Sequence, residues 1–121
     1  MNYPAQSYAA TARNTMTPRE LEATALLRAA ARLQSVIDGW PGTTDLLDDT
    51  VTHNRRLWTI FATSMEDPVS SLPEDLKVRL LMLANFVFNQ TALVMVQKDT
   101  SRLGALIRIN RELAAGLRAN G

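Results

Sequence analysis

His53 is the only histidine in the sequence and the first side chain to examine for chemistry. Asp49 stands one helical turn earlier, so its carboxylate is placed to orient the imidazole as in a nucleophilic triad. A triad also needs an activated serine, and no serine of the chain is flanked by glycine. A zinc site needs further nitrogen or sulfur ligands, whereas the chain has no second histidine and no cysteine. We therefore interpret His53 and Asp49 as a helix-surface pair without catalytic or metal-binding function.

Three aspartates, Asp45, Asp48 and Asp49, cluster at the predicted start of a helix. They lack the alternating oxygen ligands and the central glycine of a calcium-binding loop, and their charges suit the positive end of a helix dipole. Gly39 and Gly42 are typical of a helix end followed by a turn, not of a phosphate-binding loop. The sequence therefore predicts no catalytic residue, no metal and no cofactor.

The last predicted helix carries a basic stripe formed by Arg108, Arg111 and Arg118, which lie within roughly a quarter-turn of one another on a helical wheel. This stripe is the candidate for contact with RNA. The chain as a whole is close to neutral, with 13 basic and 12 acidic residues, so no strong field attracts nucleic acid. No aromatic residue is interleaved with the arginines for base stacking. A solvated helix face is the more common explanation of such a stripe.

Capping residues and chain breakers divide the sequence into four helices. Thr17 and Pro18 combine an N-cap hydroxyl with a residue that suits the first helical turn, and Glu20 has the spacing of a capping box. Glycine and proline in the segment 39–42 end this helix. The third helix is predicted to end at about Gln97. The predicted helix starts are Thr17 or Pro18, Thr43 or Thr44, Ser71 with Pro73 close behind it, and Thr100 or Ser101.

Length and composition indicate one domain, and the helix patterns indicate the all-α class. The 121 residues, 46% of them apolar and 21% charged, are enough for one packed core and too few for two. Short connections between amphipathic helices predict an antiparallel four-helix bundle within a single domain of residues 1–121. Residues 1–16 are expected to form either an additional N-terminal helical segment or a flexible arm. The lack of cysteine and of a secretory signal predicts a cytoplasmic protein.

The third predicted helix requires a test as a membrane span, because Leu76 to Val96 has about the length that crosses a bilayer. Charged and amide side chains are costly inside a bilayer, and this stretch contains several of them. We therefore expect no membrane insertion. The polar residues concerned are Lys77, Arg79, Asn85, Asn89 and Gln90.

The apolar residues of this helix do not keep to one face. A core stripe is expected at Leu76, Leu80, Leu83, Val87 and Val94. A second stripe, Leu81, Phe88 and Met95, is predicted on roughly the opposite side of the helix. Either the helix is central and packed all round, or the second stripe lies in a groove that receives a partner's helix.

Several short motifs follow one another along nearly the whole chain. They are Ser7 to Ala9, PRELE at 18–22, AAARLQ at 29–34 with Trp40 after it, NRRLWTIF at 54–61, Leu72 with Pro73, Asn85 to Val87, and INRELAAGL at 109–117. None of them is a catalytic signature. In their order and spacing, however, the chain resembles the FlaF family of bacterial flagellar biosynthesis proteins.

The resemblance implies a regulatory and chaperone-like role and no enzymatic activity. Members of the family are needed for flagellin production and export, act with the FlbT regulator and are thought to engage flagellin. The implied partners are therefore a helical terminal segment of flagellin and, secondly, FlbT. The alternative function is a post-transcriptional regulator that contacts flagellin messenger RNA through the basic stripe. The sequence leaves open the flagellin segment, the oligomeric state and the choice between translation control and export.

Partner-binding residues are expected among the polar and aromatic positions of the motifs, because burial alone does not explain those residue types. Capping and solvent exposure are the alternative explanations. Large apolar residues of the same motifs, Leu57, Trp58 and Phe61, are expected in the core. The expected partner-binding set is Tyr8, Arg19, Asn54, Arg55, Arg56 and Asn110, together with the second stripe Leu81, Phe88 and Met95.

Overall fold

The computed structural model describes residues 16–66 and 72–119, and in both ranges the regular structure is helical. The predicted all-α class is therefore confirmed. The helices are α1 (Pro18–Gly39), a 3₁₀ turn (Thr44–Leu46), α2 (Leu47–Glu66), α3 (Glu74–Gln97) and α4 (Leu103–Ala119). The additional N-terminal segment predicted within residues 1–16 lies, apart from Met16, outside the described residues.

Helix α1 begins as the capping residues predict. The hydroxyl oxygen of Thr17 accepts a hydrogen bond from the backbone N–H of Glu20 at 3.1 Å, and Pro18 occupies the first turn. The helix ends at Gly39, where the chain turns back closely on itself. A Cβ added to Gly39 would lie 2.5 Å from Cγ2 of Thr43, so a larger residue at position 39 would have to displace the Thr43 side chain.

The other helix starts differ in detail from the sequence prediction. The segment expected to open α2 at Thr43 or Thr44 forms a 3₁₀ turn first, and the α-helix begins at Leu47. Pro73 occupies the N-cap position of α3, while Ser71 lies outside the described residues. Before α4, the carboxylate of Asp99 accepts hydrogen bonds from the N–H and the hydroxyl of Ser101, at 3.1 and 2.7 Å.

The four helices pack side by side in the order α4, α1, α2, α3, with little contact between α3 and α4. Neighbours run antiparallel, since residues from the start of one helix and the end of the next line the same hollow at one end of the bundle. The core is built mainly from α1, α2 and α4 around Trp58, Leu26, Leu33 and Leu106, all of them fully buried. Helix α3 therefore forms one edge of the bundle, and none of the other described helices covers its outer side.

Helix α3 is the one helix in the described ranges that is long and apolar enough to cross a membrane, by length and composition alone. A single helix of this kind is weak evidence for a membrane span. Arg79, Asn85 and Asn89 would each be costly inside a bilayer. The apolar character of α3 is therefore better considered as a property of a protein surface.

Candidate functional site

The outer side of α3 carries a continuous row of exposed apolar side chains. Met82 is 67% exposed and Val96 is 79% exposed, which are large fractions for apolar residues. Steps of about 100° per residue place the whole row within roughly a quarter of the helix circumference. We call this row the outer stripe, and it consists of Val78, Met82, Phe86, Leu93 and Val96, with the exposed amide of Asn89 in line with them.

Two features of the fold leave the outer stripe uncovered. Helix α3 packs chiefly on α2, and its buried positions are the small or β-branched residues Ala84, Val87, Thr91 and Val94. No other described helix passes over the opposite side. A helix that is apolar all round is normally buried all round, and an exposed apolar face of this length marks an interaction surface.

The predicted second stripe is misplaced. Leu81, Phe88 and Met95 are partly buried and pack against the core from its flank, so they do not lie opposite the core. The expected core position of Leu76 is also wrong, because its side chain is 38% exposed. A rotation of about 100° per residue places the three residues of the predicted second stripe roughly 100° to 140° from the buried Val94, so helical geometry puts them beside the core face and not opposite it. The surplus apolar surface exists, but its residues are those of the outer stripe.

A second apolar feature is a hollow of about 180 Å³ at the end of the bundle where α1 begins and α4 ends. Arg19, a predicted partner-binding residue, lines it and is partly buried. The hollow continues into an open groove between α1 and α2, since Glu22, Phe61 and Ser64 line both. Most of the lining is apolar, and it includes Met65, Leu72, Leu76, Leu80, Leu113 and Leu117.

Asn54 and Asn110 lie in the core, so their expected surface position is wrong. Both side chains are 0% exposed. The amide nitrogen of Asn110 donates to Oδ1 of Asn54 at 2.7 Å and to the backbone carbonyl of Leu26 at 3.3 Å. Its Oδ1 accepts from Nε1 of Trp58 at 2.9 Å. The two asparagines therefore join α1, α2 and α4 and are unavailable to a partner.

The remaining predicted contact residues lie on separate faces. Arg55 and Arg56 are exposed on α2, and the basic stripe of Arg108, Arg111 and Arg118 is exposed on α4. The structure does not bring either group to the outer stripe of α3. Tyr8 lies outside the described residues.

His53 is exposed on α2, and no hydrogen bond joins it to Asp49 in the part of the chain that the structure describes. Partial desolvation, followed by the positive charges of Arg32 and Arg56, lowers the pKa of His53 below its ordinary value of 6.5. None of the described carboxylates orients the imidazole, as a triad would require. Within residues 16–66 and 72–119 no group of acidic or histidine side chains is placed to hold a metal ion.

Over the described residues, fold and surface together define a helical bundle with a closed core and an apolar helix face that no other described helix covers. The family model described as flagellar protein FlaF matches residues 4–117. This match spans nearly the whole chain, so the chain belongs to the FlaF family. The family is a flagellar one of regulatory type and is not known as a family of enzymes. No curated protein and no solved structure matches the chain.

Proposed function

We propose that this flagellar protein acts in the cytoplasm as a non-enzymatic, chaperone-like regulator that holds a helical terminal segment of flagellin during its synthesis and export. The observation that carries the proposal is the outer stripe of α3. It presents apolar side chains at helical spacing on an uncovered helix, which is the surface that an amphipathic helix needs. Membership of a flagellar family supports flagellin as the occupant.

The composition of the stripe suits reversible holding. Asn89 lies within the row and Asn85 beside it, and both are exposed, so the contact is partly polar. Exposed amides keep their hydration in the free protein and weaken a purely apolar contact. An interface of modest area with such a centre favours moderate affinity, as release before export requires.

The test is binding of purified flagellin to variants of the outer stripe, measured by calorimetry. Met82→Glu places a charge in the contact, and we expect it to weaken binding by roughly tenfold or more. The matched control is Leu46→Glu, which changes a 54% exposed leucine on the 3₁₀ turn and should leave binding unchanged. Equal affinities of the wild type and Met82→Glu, or no binding heat with either, would remove this function.

A second candidate function is contact with flagellin messenger RNA through Arg108, Arg111 and Arg118. The observation in its favour is that all three are exposed and that none of them forms an ion pair within the described ranges. Binding should then weaken steeply with salt, and the double change Arg108→Gln with Arg111→Gln should abolish it. Arg55→Gln, an exposed arginine on another helix, serves as the control. Unaltered RNA affinity in the double variant would exclude this mechanism.

FlbT is a further proposed partner, and it rests on the family resemblance alone. None of the surfaces described above is assigned to it. Co-purification of the two proteins, with and without flagellin, would show whether the three form one complex.

A further inference from the structure

We propose that the outer stripe of α3 also binds the outer stripe of a second copy of this chain in antiparallel orientation, so that the free protein forms a weak homodimer. Flagellin would then displace one copy, and this last step rests on the function proposed above. The self-association itself does not depend on flagellin.

The first argument is the symmetry of the row. Closed dimers use the same patch on both copies, so the patch must complement itself under a two-fold rotation. The outer stripe is nearly symmetric about a point between Phe86 and Asn89. In an antiparallel pair Val78 lies opposite Val96 of the second copy, and Met82 lies opposite Leu93. Apolar residues of similar size therefore meet towards both ends of the contact, and at its centre Phe86 lies opposite Asn89 of the second copy.

The second argument is the spacing. From Met82 the row advances by four, three, four and three residues to Val96. This alternation keeps a contact line on one side of a helix when two helices wrap around each other. The two copies of Asn89 come close to the two-fold axis, where a polar residue in an apolar seam fixes register at some cost in affinity.

The third argument is the area available. The row from Val78 to Val96 is about 27 Å long at 1.5 Å per residue, which gives roughly 400–500 Å² of contact per copy. A standard stable interface needs about 800 Å² per partner. The area is therefore that of a transient contact, so we expect a dimer that forms at high micromolar concentration and dissociates on dilution. Such a dimer shields the apolar row from solvent, and a longer flagellin helix can still displace the second copy.

Analytical ultracentrifugation of the full chain tests the association. The average mass of the wild type should rise from that of the 13.4 kDa monomer towards twice that mass as concentration increases. Met82→Glu should remain monomeric over the same range, and Leu46→Glu should behave as the wild type does. A wild type that stays monomeric, or a Met82→Glu variant that still dimerises, would overturn the proposal.

The orientation is tested by cysteine cross-linking, which is clean because the chain has no native cysteine. Met82→Cys and Leu93→Cys are prepared separately and oxidised alone or mixed. An antiparallel pair predicts that only the mixture yields a disulfide-linked dimer, because the two copies of position 82 lie about 16 Å apart along the axis. Efficient cross-linking of Met82→Cys with itself would show a parallel pair and contradict the proposed geometry.

The two proposals fail in different ways. If the wild type is monomeric but Met82→Glu loses flagellin binding, the homodimer proposal is contradicted and the proposed flagellin function is supported. If the wild type dimerises through α3 but flagellin does not bind, the proposed flagellin function is contradicted and the homodimer proposal is supported. If both occur, added flagellin should convert the homodimer into a mixed complex, and persistence of the homodimer would exclude displacement.

Discussion

The indole N–H of Trp58 on α2 donates a hydrogen bond to Oδ1 of Asn110 on α4 at 2.9 Å, in the centre of the core. The two residues are 52 positions apart and both are completely buried. A buried indole N–H without a partner is costly, and Asn110 supplies the acceptor while its amide nitrogen bonds to Asn54 and to α1. This polar centre fixes how α1, α2 and α4 pack, and so it sets the platform that carries α3.

We expect Asn110→Ala to destabilise the fold more than Asn54→Ala. Asn110 takes part in three hydrogen bonds, whereas Asn54 takes part in one and its amide nitrogen has no protein partner. At about 1–3 kcal/mol for each buried polar group left unpaired, Asn110→Ala should cost about 3–5 kcal/mol and Asn54→Ala about 1–3 kcal/mol. Urea unfolding followed by tryptophan fluorescence measures both. Glu112→Ala, on the exposed side of α4, is the control, and equal losses at the two asparagines would contradict this ranking.

Replacing Arg32 or Arg56 by glutamine should raise the pKa of His53 towards 6.5. Both arginines lower this pKa, after the larger effect of desolvation. His53 is the only histidine, so its imidazole proton gives a single NMR signal for the titration. Arg118→Gln, which changes an arginine on α4 that is not among the groups perturbing His53, should have no effect.

The same pKa sets the sign of a small pH effect on stability. The folded state binds the imidazole proton less readily than the unfolded state does. The contribution of His53 to the free energy of unfolding is therefore fully present above pH 6.5 and is lost as the pH falls through the lowered pKa of the folded state. His53→Gln should therefore reduce the pH dependence of unfolding between neutral and mildly acidic conditions. For the preceding prediction, an unchanged pKa of His53 in both Arg32→Gln and Arg56→Gln would show that the two arginine charges do not act on the imidazole.

Lys98 ends α3 in the left-handed conformation, with a φ of 57°. A side chain costs about 1 kcal/mol or more in this conformation, whereas glycine adopts it freely. The ammonium group of Lys98 pairs with Asp48 on α2 at 2.8 Å, but this pair is exposed and contributes little. Lys98→Gly should therefore be more stable than Lys98→Ala by about 1 kcal/mol, since both variants lose the pair and only glycine relieves the backbone.

Denaturant unfolding of the two Lys98 variants and of Asp48→Asn separates the two contributions. Asp48→Asn should lose less than about 1 kcal/mol, because the pair is exposed to solvent. If Lys98→Gly and Lys98→Ala were equally stable, the left-handed conformation would carry no cost here.

The fold was predictable where local chemistry decides it. Thr17 and Pro18 specify a helix start by hydrogen bonding and by a fixed φ, and the glycines and proline of the segment 39–42 mark the helix end. The core face of α3 was largely predictable, since Val87 and Val94 are buried as expected and Leu80 and Leu83 pack against the core. Its exposed apolar face was placed wrongly, because apolar residues occur on every side of this helix. Asn54 and Asn110 were expected to bind a partner because of their residue type, whereas they are buried and pair across 56 positions of the chain. A single sequence gives no signal of that pairing.

The direction in which α3 faces depends on small residues, and this gives a last prediction. Ala84 is 2% exposed and lies against the core, whereas Ala92 on the same helix is exposed. Ala84→Leu adds volume where α3 packs on its neighbours, and overpacking of this kind costs about 1–3 kcal/mol. Ala92→Leu makes the same chemical change on the free side and should alter stability by less than about 0.5 kcal/mol.

If Ala84→Leu also reduced flagellin binding more than Ala92→Leu, the packing of α3 on its neighbours would control the presentation of the outer stripe. Equal stability of the two variants would mean that the helix can shift to admit a larger side chain, and that small residues do not determine which side of α3 faces a partner.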